Sequence, residues 1–255
     1  MSNDSCKRCH IEIIDIGSNF CPACGTPLRN NRKFNDNKDV NLTIAFYIAN
    51  LAFLCISFLI FQDGTNLVKE IVIELLFISL TIGFSLTNLK SIWPLYRFPK
   101  LNPVFLVGVI IIPFCTALIV YYGTGFINTF LFNWESNNVF LEYADYPNPF
   151  LWAFIFIAVF PAVFEELAFR GFLFNLLHKL VSVKATIILT AFLFALIHLS
   201  FISILWIFPF GLLLGYLRYK YKTLWLGMII HFLHNLIILS LDFYNYSEYL
   251  ETDFW

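Results

Sequence analysis

Three apolar stretches in the second half of the chain carry polar side chains that could do chemistry. The first, residues 150–178, contains Glu165, Glu166 and Arg170. An ionisable group so deep in an apolar helix is costly and is therefore a functional candidate. Glu166 and Arg170 are one helical turn apart and can form an ion pair. Glu165 would then point about 100° away on a regular helix, free for another role.

The other two stretches supply imidazole and amide groups. One contains Phe194 and His198, and the other contains His231 and Asn235, with each pair one helical turn apart on one face. A lone histidine on an apolar helix is more often a packing residue than a ligand. Carboxylate, imidazole and amide groups from three helices can, however, satisfy one another in the core of a bundle. We predict a shared catalytic cluster, with a polar packing network as the alternative.

The composition places these helices in a membrane. Hydrophobic residues make up 59% of the 255 residues and charged residues 13%, whereas soluble domains have roughly 25% charged residues. The sequence contains seven apolar segments, at 42–61, 71–89, 103–122, 150–178, 185–204, 206–217 and 223–241. The predicted fold is all-α, a polytopic transmembrane helix bundle of about seven spans. The short sixth segment would be tilted, or continuous with the fifth through a bend at Pro209.

The distribution of basic residues predicts the orientation. Most of the 16 Lys and Arg residues precede the first apolar segment or follow the second, fourth and sixth. Short basic loops stay on the cytoplasmic side. We therefore predict a multi-pass integral membrane protein with a cytoplasmic N-terminus and an outside C-terminus. Glu74, inside the second segment, is expected to reach the interface beside Lys69 and Glu70.

Four cysteines before the first apolar segment form two Cys-x-x-Cys pairs, Cys6 with Cys9 and Cys21 with Cys24. Two such turns place four thiolates around one tetrahedral ion, as in a zinc ribbon. The alternatives are two disulfides or an empty thiol cluster, and a reducing cytoplasm disfavours the disulfides. Four thiolates leave no open coordination position, so the predicted zinc is structural.

The charges limit the partners of this N-terminal unit. Its basic and acidic residues nearly cancel, and the whole chain has a net charge of −1, which excludes a basic nucleic-acid binder. We expect the unit to contact a protein partner. The predicted regions are a zinc ribbon (1–30), a linker (31–41), N-terminal transmembrane helices with an outer loop (42–148), a catalytic core (149–241) and an acidic C-terminal tail (242–255).

Three motifs on the core helices occur in a recognisable order: Glu165-Glu166-x-x-x-Arg170, Phe194-x-x-x-His198 and His231-x-x-x-Asn235. They resemble the motifs of the CAAX protease and bacteriocin-processing family of intramembrane endopeptidases. That family includes the type II CAAX prenyl endopeptidases and the Abi proteins. Thr223 is a mild departure, since the family often has Ser before the Leu-Trp pair that leads into the third motif.

The resemblance implies an activity and roles for the residues. The protein would hydrolyse peptide bonds of membrane-associated substrates, either CAAX-type prenylated proteins or leader peptides, in the lipid bilayer. Glu165 with His198 would activate a water, and Asn235, helped by His231, would stabilise the oxyanion. The supporting residues would be Glu166, Arg170 and Phe194.

Two questions stay open at this stage. Glu165, His198 and His231 could coordinate a catalytic zinc with water as the fourth ligand. The sequence lacks a His-Glu-x-x-His motif, so a metal-free mechanism based on glutamate is equally compatible. A hypothesis from another class is a non-catalytic membrane scaffold or immunity-type protein that signals through its zinc ribbon.

Overall fold

The computed structural model describes residues 6, 9, 11, 21, 23, 36–101, 103–132 and 138–252, and among these it contains helices and no strand. Seven long helices follow one another: α1 (Asp36–Phe61), α2 (Leu67–Leu86), α3 (Pro103–Ile127), α4 (Pro149–Leu180), α5 (Val183–Leu196), α6 (Phe201–Tyr221) and α7 (Trp225–Thr252). Each predicted apolar segment overlaps one of them. The all-α helix bundle is therefore confirmed.

Five of these helices are long and apolar enough to cross a membrane, namely α1, α3, α4, α6 and α7. The 20-residue α2 carries three charged residues, and α5 has only 14 residues. Large apolar side chains such as Phe58, Ile110 and Phe126 are exposed on the outer faces of the helices. Exposed apolar area of this extent is suited to lipid, as in an integral membrane protein.

The break between the fifth and sixth segments differs from the prediction. The fifth helix ends at Leu196, and α6 runs from Phe201 through Pro209 to Tyr221. The expected short segment at 206–217 is wrong because a new helix begins earlier. Leu199 has a positive φ of 49°, and the Ser200 side chain caps α6 by accepting from the Ser203 N–H at 3.3 Å.

Most of the acidic tail predicted at 242–255 is helical. Residues 242–252 continue α7 as a helix. The carboxylate of Asp242 is buried and accepts from the Val139 N–H at 3.0 Å. This bond joins the helix to the loop before α4. The last three residues of the predicted tail lie outside the described residues, as do residues 31–35 of the linker and most of the zinc-ribbon region.

Helix α4 contains the first predicted motif and departs from regular α geometry. It is α-helical at its ends and π-helical over Phe154–Val159 and Pro161–Leu173. A π-helix bonds residue i to i+5 and often occurs at functional sites. The 100° separation expected between Glu165 and Glu166 therefore does not apply.

Two close approaches pair α5 with α6. A Cβ added at Gly211 would lie 3.1 Å from the Ala191 Cα, and one at Gly215 would lie 3.3 Å from the Ile187 Cγ2. These two contacts run in opposite directions along the helices, so the pair is antiparallel. The glycines allow the backbones to approach closely, which fixes the relation of α5 to its neighbours.

The helices run alternately between two ends of the bundle. At one end, the Thr223 hydroxyl donates to the Leu95 carbonyl at 3.1 Å, which joins the start of α7 to the α2–α3 connection. At the other end, Asn138 donates to the Asp242 carbonyl at 2.8 Å. The motif residues of α4 and α7, together with Phe194 on α5, lie between these ends. His198 lies in the turn just after α5 and is exposed.

Candidate functional site

A buried ion pair lies at the centre of α4. The Arg170 Nη1 donates to the Glu166 Oε1 at 2.8 Å, and the exposed fractions of the two side chains are 1% and 0%. The Arg170 Nη2 also approaches the Gly211 carbonyl on α6 at 3.5 Å. Burying two charges is tolerated because each neutralises the other. The Glu166 Oε2 and the Arg170 Nε are buried without a hydrogen-bond partner among the described residues. The pair connects α4 with α6.

Gly227 on α7 provides the space for the Glu166 carboxylate. A Cβ at position 227 would overlap the Glu166 Oε2 and lie 3.1 Å from its Cδ. Only glycine allows α7 to pack this closely against the ion pair. The sequence analysis did not select Gly227. Its position one helical turn before His231 in the third motif could have indicated it.

The His231 ring lies between two carboxylates of α4. Its Nε2 is 3.9 Å from the Glu165 Oε2, and its Nδ1 is 3.5 Å from the Glu166 Oε1. The side chain is buried, and the edge of its ring contacts Phe210, with centroids 5.6 Å apart. His231 therefore connects both glutamates of the first motif to α7.

Phe194 packs among the charged and imidazole groups. The Arg170 Cζ lies 4.2 Å from the centre of the Phe194 ring, a cation–π contact. The His198 ring is edge-on to the same phenyl group, with centroids 5.0 Å apart. The His198 Nδ1 is 2.9 Å from the Phe194 carbonyl oxygen, which can only accept. Nδ1 therefore donates, and the Nε2 of the neutral ring is an acceptor.

A cavity of about 330 Å³ opens between α1 and α2 on one side and the motif helices on the other. Glu165 and His198 both line it. The opposite wall includes Asn50, Ser57 and Glu74 among apolar side chains. Glu74 thus lines the cavity, a role that the expectation of an interfacial position beside Lys69 did not include.

Asn235 is held against α4, one helical turn from His231. Its Nδ2 donates to the Ile157 carbonyl at 2.9 Å. In an α-helix this carbonyl would accept from residue 161, but Pro161 has no N–H. Asn235 supplies a donor at that position. Among the described residues it forms no hydrogen bond with Glu165 or His198, and it does not line the cavity with them.

The catalytic metal site considered at Glu165, His198 and His231 does not fit this geometry. Within the described parts of the chain, these three donor atoms do not come within 4.8 Å of one another. The Nδ1 of His198 is bonded to a backbone carbonyl, and the His231 ring is held between two carboxylates. The chemistry of the site is therefore derived from the side chains alone.

The N-terminal cysteines form a separate cluster. The sulfurs of Cys6, Cys9 and Cys21 lie within 4.8 Å of one another, close enough to bind a metal ion. The Cys9 and Cys21 sulfurs are 3.4 Å apart, farther than the ~2 Å of a disulfide bond. The Cys6 N–H donates to the Ile11 carbonyl at 2.9 Å, which closes a turn around the first pair. The fourth predicted ligand, Cys24, lies outside the described residues.

Comparison with known families bears on the motif helices. Residues 147–237 match the family described as type II CAAX prenyl endopeptidase Rce1-like. This segment is similar to the family over about a third of the chain. It contains all three motifs, from Glu165 to Asn235, and the match confirms the recognition made from the sequence. No curated protein and no solved structure matches the chain.

Proposed function

We propose that this protein is an intramembrane endopeptidase that hydrolyses peptide bonds of membrane-associated substrates. The observation that carries the proposal is that Glu165 and His198, from two different motifs, face one cavity inside the bundle. A hydrolase needs a water, a base to activate it and a donor for the developing oxyanion. Similarity of the matched segment to an endopeptidase family supports the same reading.

Glu165 and His198 activate the water. The Glu165 Oε2 is buried and accepts no hydrogen bond within the described residues. The His198 Nε2 is an acceptor because Nδ1 donates to Phe194. A water between the two can donate one hydrogen to each, and Glu165 takes the proton as the oxygen attacks the carbonyl carbon.

The family resemblance gives Asn235, helped by His231, the role of stabilising the oxyanion, from a position beside the cavity lining. One hydrogen of the Asn235 Nδ2 is used by the Ile157 carbonyl, and the second is available to a substrate. His231 holds Glu165 on one side and Glu166 on the other. Arg170 and Phe194 keep this arrangement in place from the far side of Glu166.

The substrates we propose are membrane-associated peptides of two classes. The first class is CAAX-type prenylated proteins, because the family is named for CAAX prenyl endopeptidases. The second class is leader peptides, which the sequence motifs suggest. Both present a flexible segment next to a membrane anchor, which an opening within the bundle can admit.

We further propose that the N-terminus is cytoplasmic and the C-terminus outside. Basic residues of the connections after α2, α4 and α6 lie at the same end of the bundle as the start of α7. Arg218 is an exception, because it is buried and donates to the Arg170 carbonyl at 3.0 Å. The exposed Trp93 and Phe98 at this end suit a membrane interface.

The N-terminal cysteines bind one structural zinc in this proposal. Three sulfurs within 4.8 Å of one another support it, and Cys24 completes a tetrahedral set. A closed shell has no position for substrate, so the unit contributes contacts with a protein partner rather than catalysis.

The test uses the full-length protein in liposomes with membrane peptides, and mass spectrometry detects cleavage. Glu165→Gln and His198→Ala should each abolish cleavage while the thermal unfolding temperature stays near that of the wild type. Glu142→Gln, the same chemical change on an exposed loop, serves as the control. Full cleavage by folded Glu165→Gln would refute the mechanism.

A non-catalytic scaffold that signals through the cysteine unit is the second candidate, favoured by the close sulfurs of Cys6, Cys9 and Cys21. It predicts that Cys21→Ser impairs the biological role of the protein and that Glu165→Gln leaves that role intact. The protease proposal predicts the opposite result for Glu165→Gln.

A further inference from the structure

The wall of the cavity formed by α1 presents hydrogen-bond acceptors. The Asn50 Nδ2 donates to the Phe46 carbonyl at 2.8 Å, and the side chain is only 2% exposed. Its Oδ1 accepts no hydrogen bond among the described residues. The Ser57 hydroxyl donates to the Phe53 carbonyl at 2.9 Å, so its remaining capacity toward the cavity is as an acceptor.

The α2 side of the wall adds a carboxylate. Glu74 lines the cavity and forms no hydrogen bond or ion pair within the described part of the chain. No lysine or arginine is among the residues that line the cavity. An ionised Glu74 therefore has no compensating cation in this space unless a cationic group enters it.

The opposite wall, which Glu165 and His198 line, also presents hydrogen-bond acceptors. Glu165 contributes a second carboxylate, and His198 presents its Nε2 as an acceptor because Nδ1 is already donating. Each polar side chain that lines the cavity thus offers acceptor atoms. Such a cavity is complementary to hydrogen-bond donors, and its two carboxylates repel anions in a medium of low dielectric constant.

We propose that the cavity binds a substrate segment carrying a positively charged side chain next to the scissile bond, and that Glu74 is the residue that selects it. The inference rests on the proposed endopeptidase function and specifies its substrate class. A lysine ammonium or an arginine guanidinium donates to Glu74 and to the oxygens of Asn50 and Ser57. A segment with an acidic side chain at the same position is disfavoured.

The test compares three hydrophobic peptides that are identical except for Lys, Gln or Glu at one position, scanned through three residues on each side of the cleaved bond. Full-length protein in phosphatidylcholine liposomes should cleave the best Lys peptide about tenfold faster than its Gln counterpart, since a hydrogen bond to a charged group contributes this much or more. The Glu peptide should be the slowest. Equal rates for the three peptides at all positions would overturn the proposal.

Variants of Glu74 test whether this residue determines the preference for the Lys peptide. Glu74→Gln should reduce the Lys-to-Gln ratio to about one, and Glu74→Asp should keep most of the preference. Glu70→Gln makes the same change one helical turn away on α2, outside the cavity lining, and should leave the ratio unchanged. A Glu74→Gln protein that retains the tenfold ratio would refute the role of Glu74. Glu74→Asp provides the comparison if Glu74→Gln does not fold.

A measurement of peptide binding distinguishes the proposed recognition by Glu74 from the proposed endopeptidase activity. Retention of the same three peptides on immobilised protein in detergent micelles needs no cleavage. If nothing is cleaved but the Lys peptide is retained in a Glu74-dependent way, the enzymatic proposal fails and the recognition proposal stands. If cleavage occurs and neither the rates nor the retention depend on charge, recognition by Glu74 fails and the enzymatic proposal stands.

Discussion

Gly227 on α7 lies so close to the Glu166 carboxylate on α4 that any side chain at position 227 would overlap it. One turn later on the same helix, His231 contacts both Glu165 and Glu166. The distance between α7 and α4 thus determines the position of the imidazole relative to the carboxylates. The glycine contributes to the site by being small.

Replacing Gly227 should disturb both stability and activity. Gly227→Ala forces the Glu166 carboxylate to move, which disrupts its bond to Arg170 and shifts His231. We expect a loss of about 1–3 kcal/mol in the free energy of unfolding, typical of overpacking, together with a large loss of cleavage. Gly83→Ala is the matched control, because nothing lies within 4 Å of its added Cβ. Unaltered cleavage by Gly227→Ala would contradict this view of the site.

The bond between Asn235 and Ile157 makes a prediction about Pro161. Asn235→Ala removes a donor from the partly buried Ile157 carbonyl and should cost about 0.5–1.5 kcal/mol in the free energy of unfolding. Pro161→Ala restores an N–H that an α-type turn directs to the same carbonyl. The double variant should therefore be less destabilised than the sum of the single variants, as measured by unfolding in mixed micelles. Simple additivity would show that the two residues do not share this carbonyl.

The buried pair of Glu166 and Arg170 predicts an asymmetry between single and double variants. Arg170→Met leaves the Glu166 charge uncompensated and should destabilise the protein by about 3–5 kcal/mol. Combining it with Glu166→Leu removes both charges and should recover much of that stability. Cleavage should stay low in the double variant, because His231 loses a carboxylate that positions it. Unfolding curves and cleavage rates of the three variants measure these effects.

Metal removal should affect the two ends of the protein differently. A strong zinc chelator is expected to remove the metal from the N-terminal cysteines, which elemental analysis of the desalted protein detects. Cleavage should persist, because the proposed water activation uses Glu165 and His198 without a metal. Cys21→Ser should contain no zinc and should cleave at the wild-type rate with or without chelator. Loss of cleavage by chelated Cys21→Ser would instead indicate a catalytic metal.

The sequence predicted the helices and the motif residues because their signals are local. Long apolar runs indicate membrane helices, and an ionisable residue within such a run is costly enough to stand out. Glu165, Glu166 and His231 were found in this way, and the structure brings them into contact. The spacing of Glu166 and Arg170 also predicted their pairing.

Features that depend on packing between helices could not be predicted. The π-helical form of α4 changes the angle between adjacent glutamates, and the sequence alone gives no measure of it. Glu74 was assigned to the interface because nothing in its own segment indicates that it lines a cavity. The break before Ser200 was misplaced because a polar turn between two apolar helices is short and the residues around it are hydrophobic.

The two sides of the cavity are attached to the protein in different ways. On one side, Arg170 pairs with Glu166 and reaches the Gly211 carbonyl of α6, His231 lies within 4 Å of both glutamates, and Asn235 donates to the Ile157 carbonyl of α4. The facing residues of α1 and α2 satisfy their donors within their own helix, as Asn50 and Ser57 do. Substitutions in α1 and α2 can therefore accumulate over evolutionary time without altering the hydrolytic groups, so related proteins can diverge in what they cleave while they conserve how they cleave it.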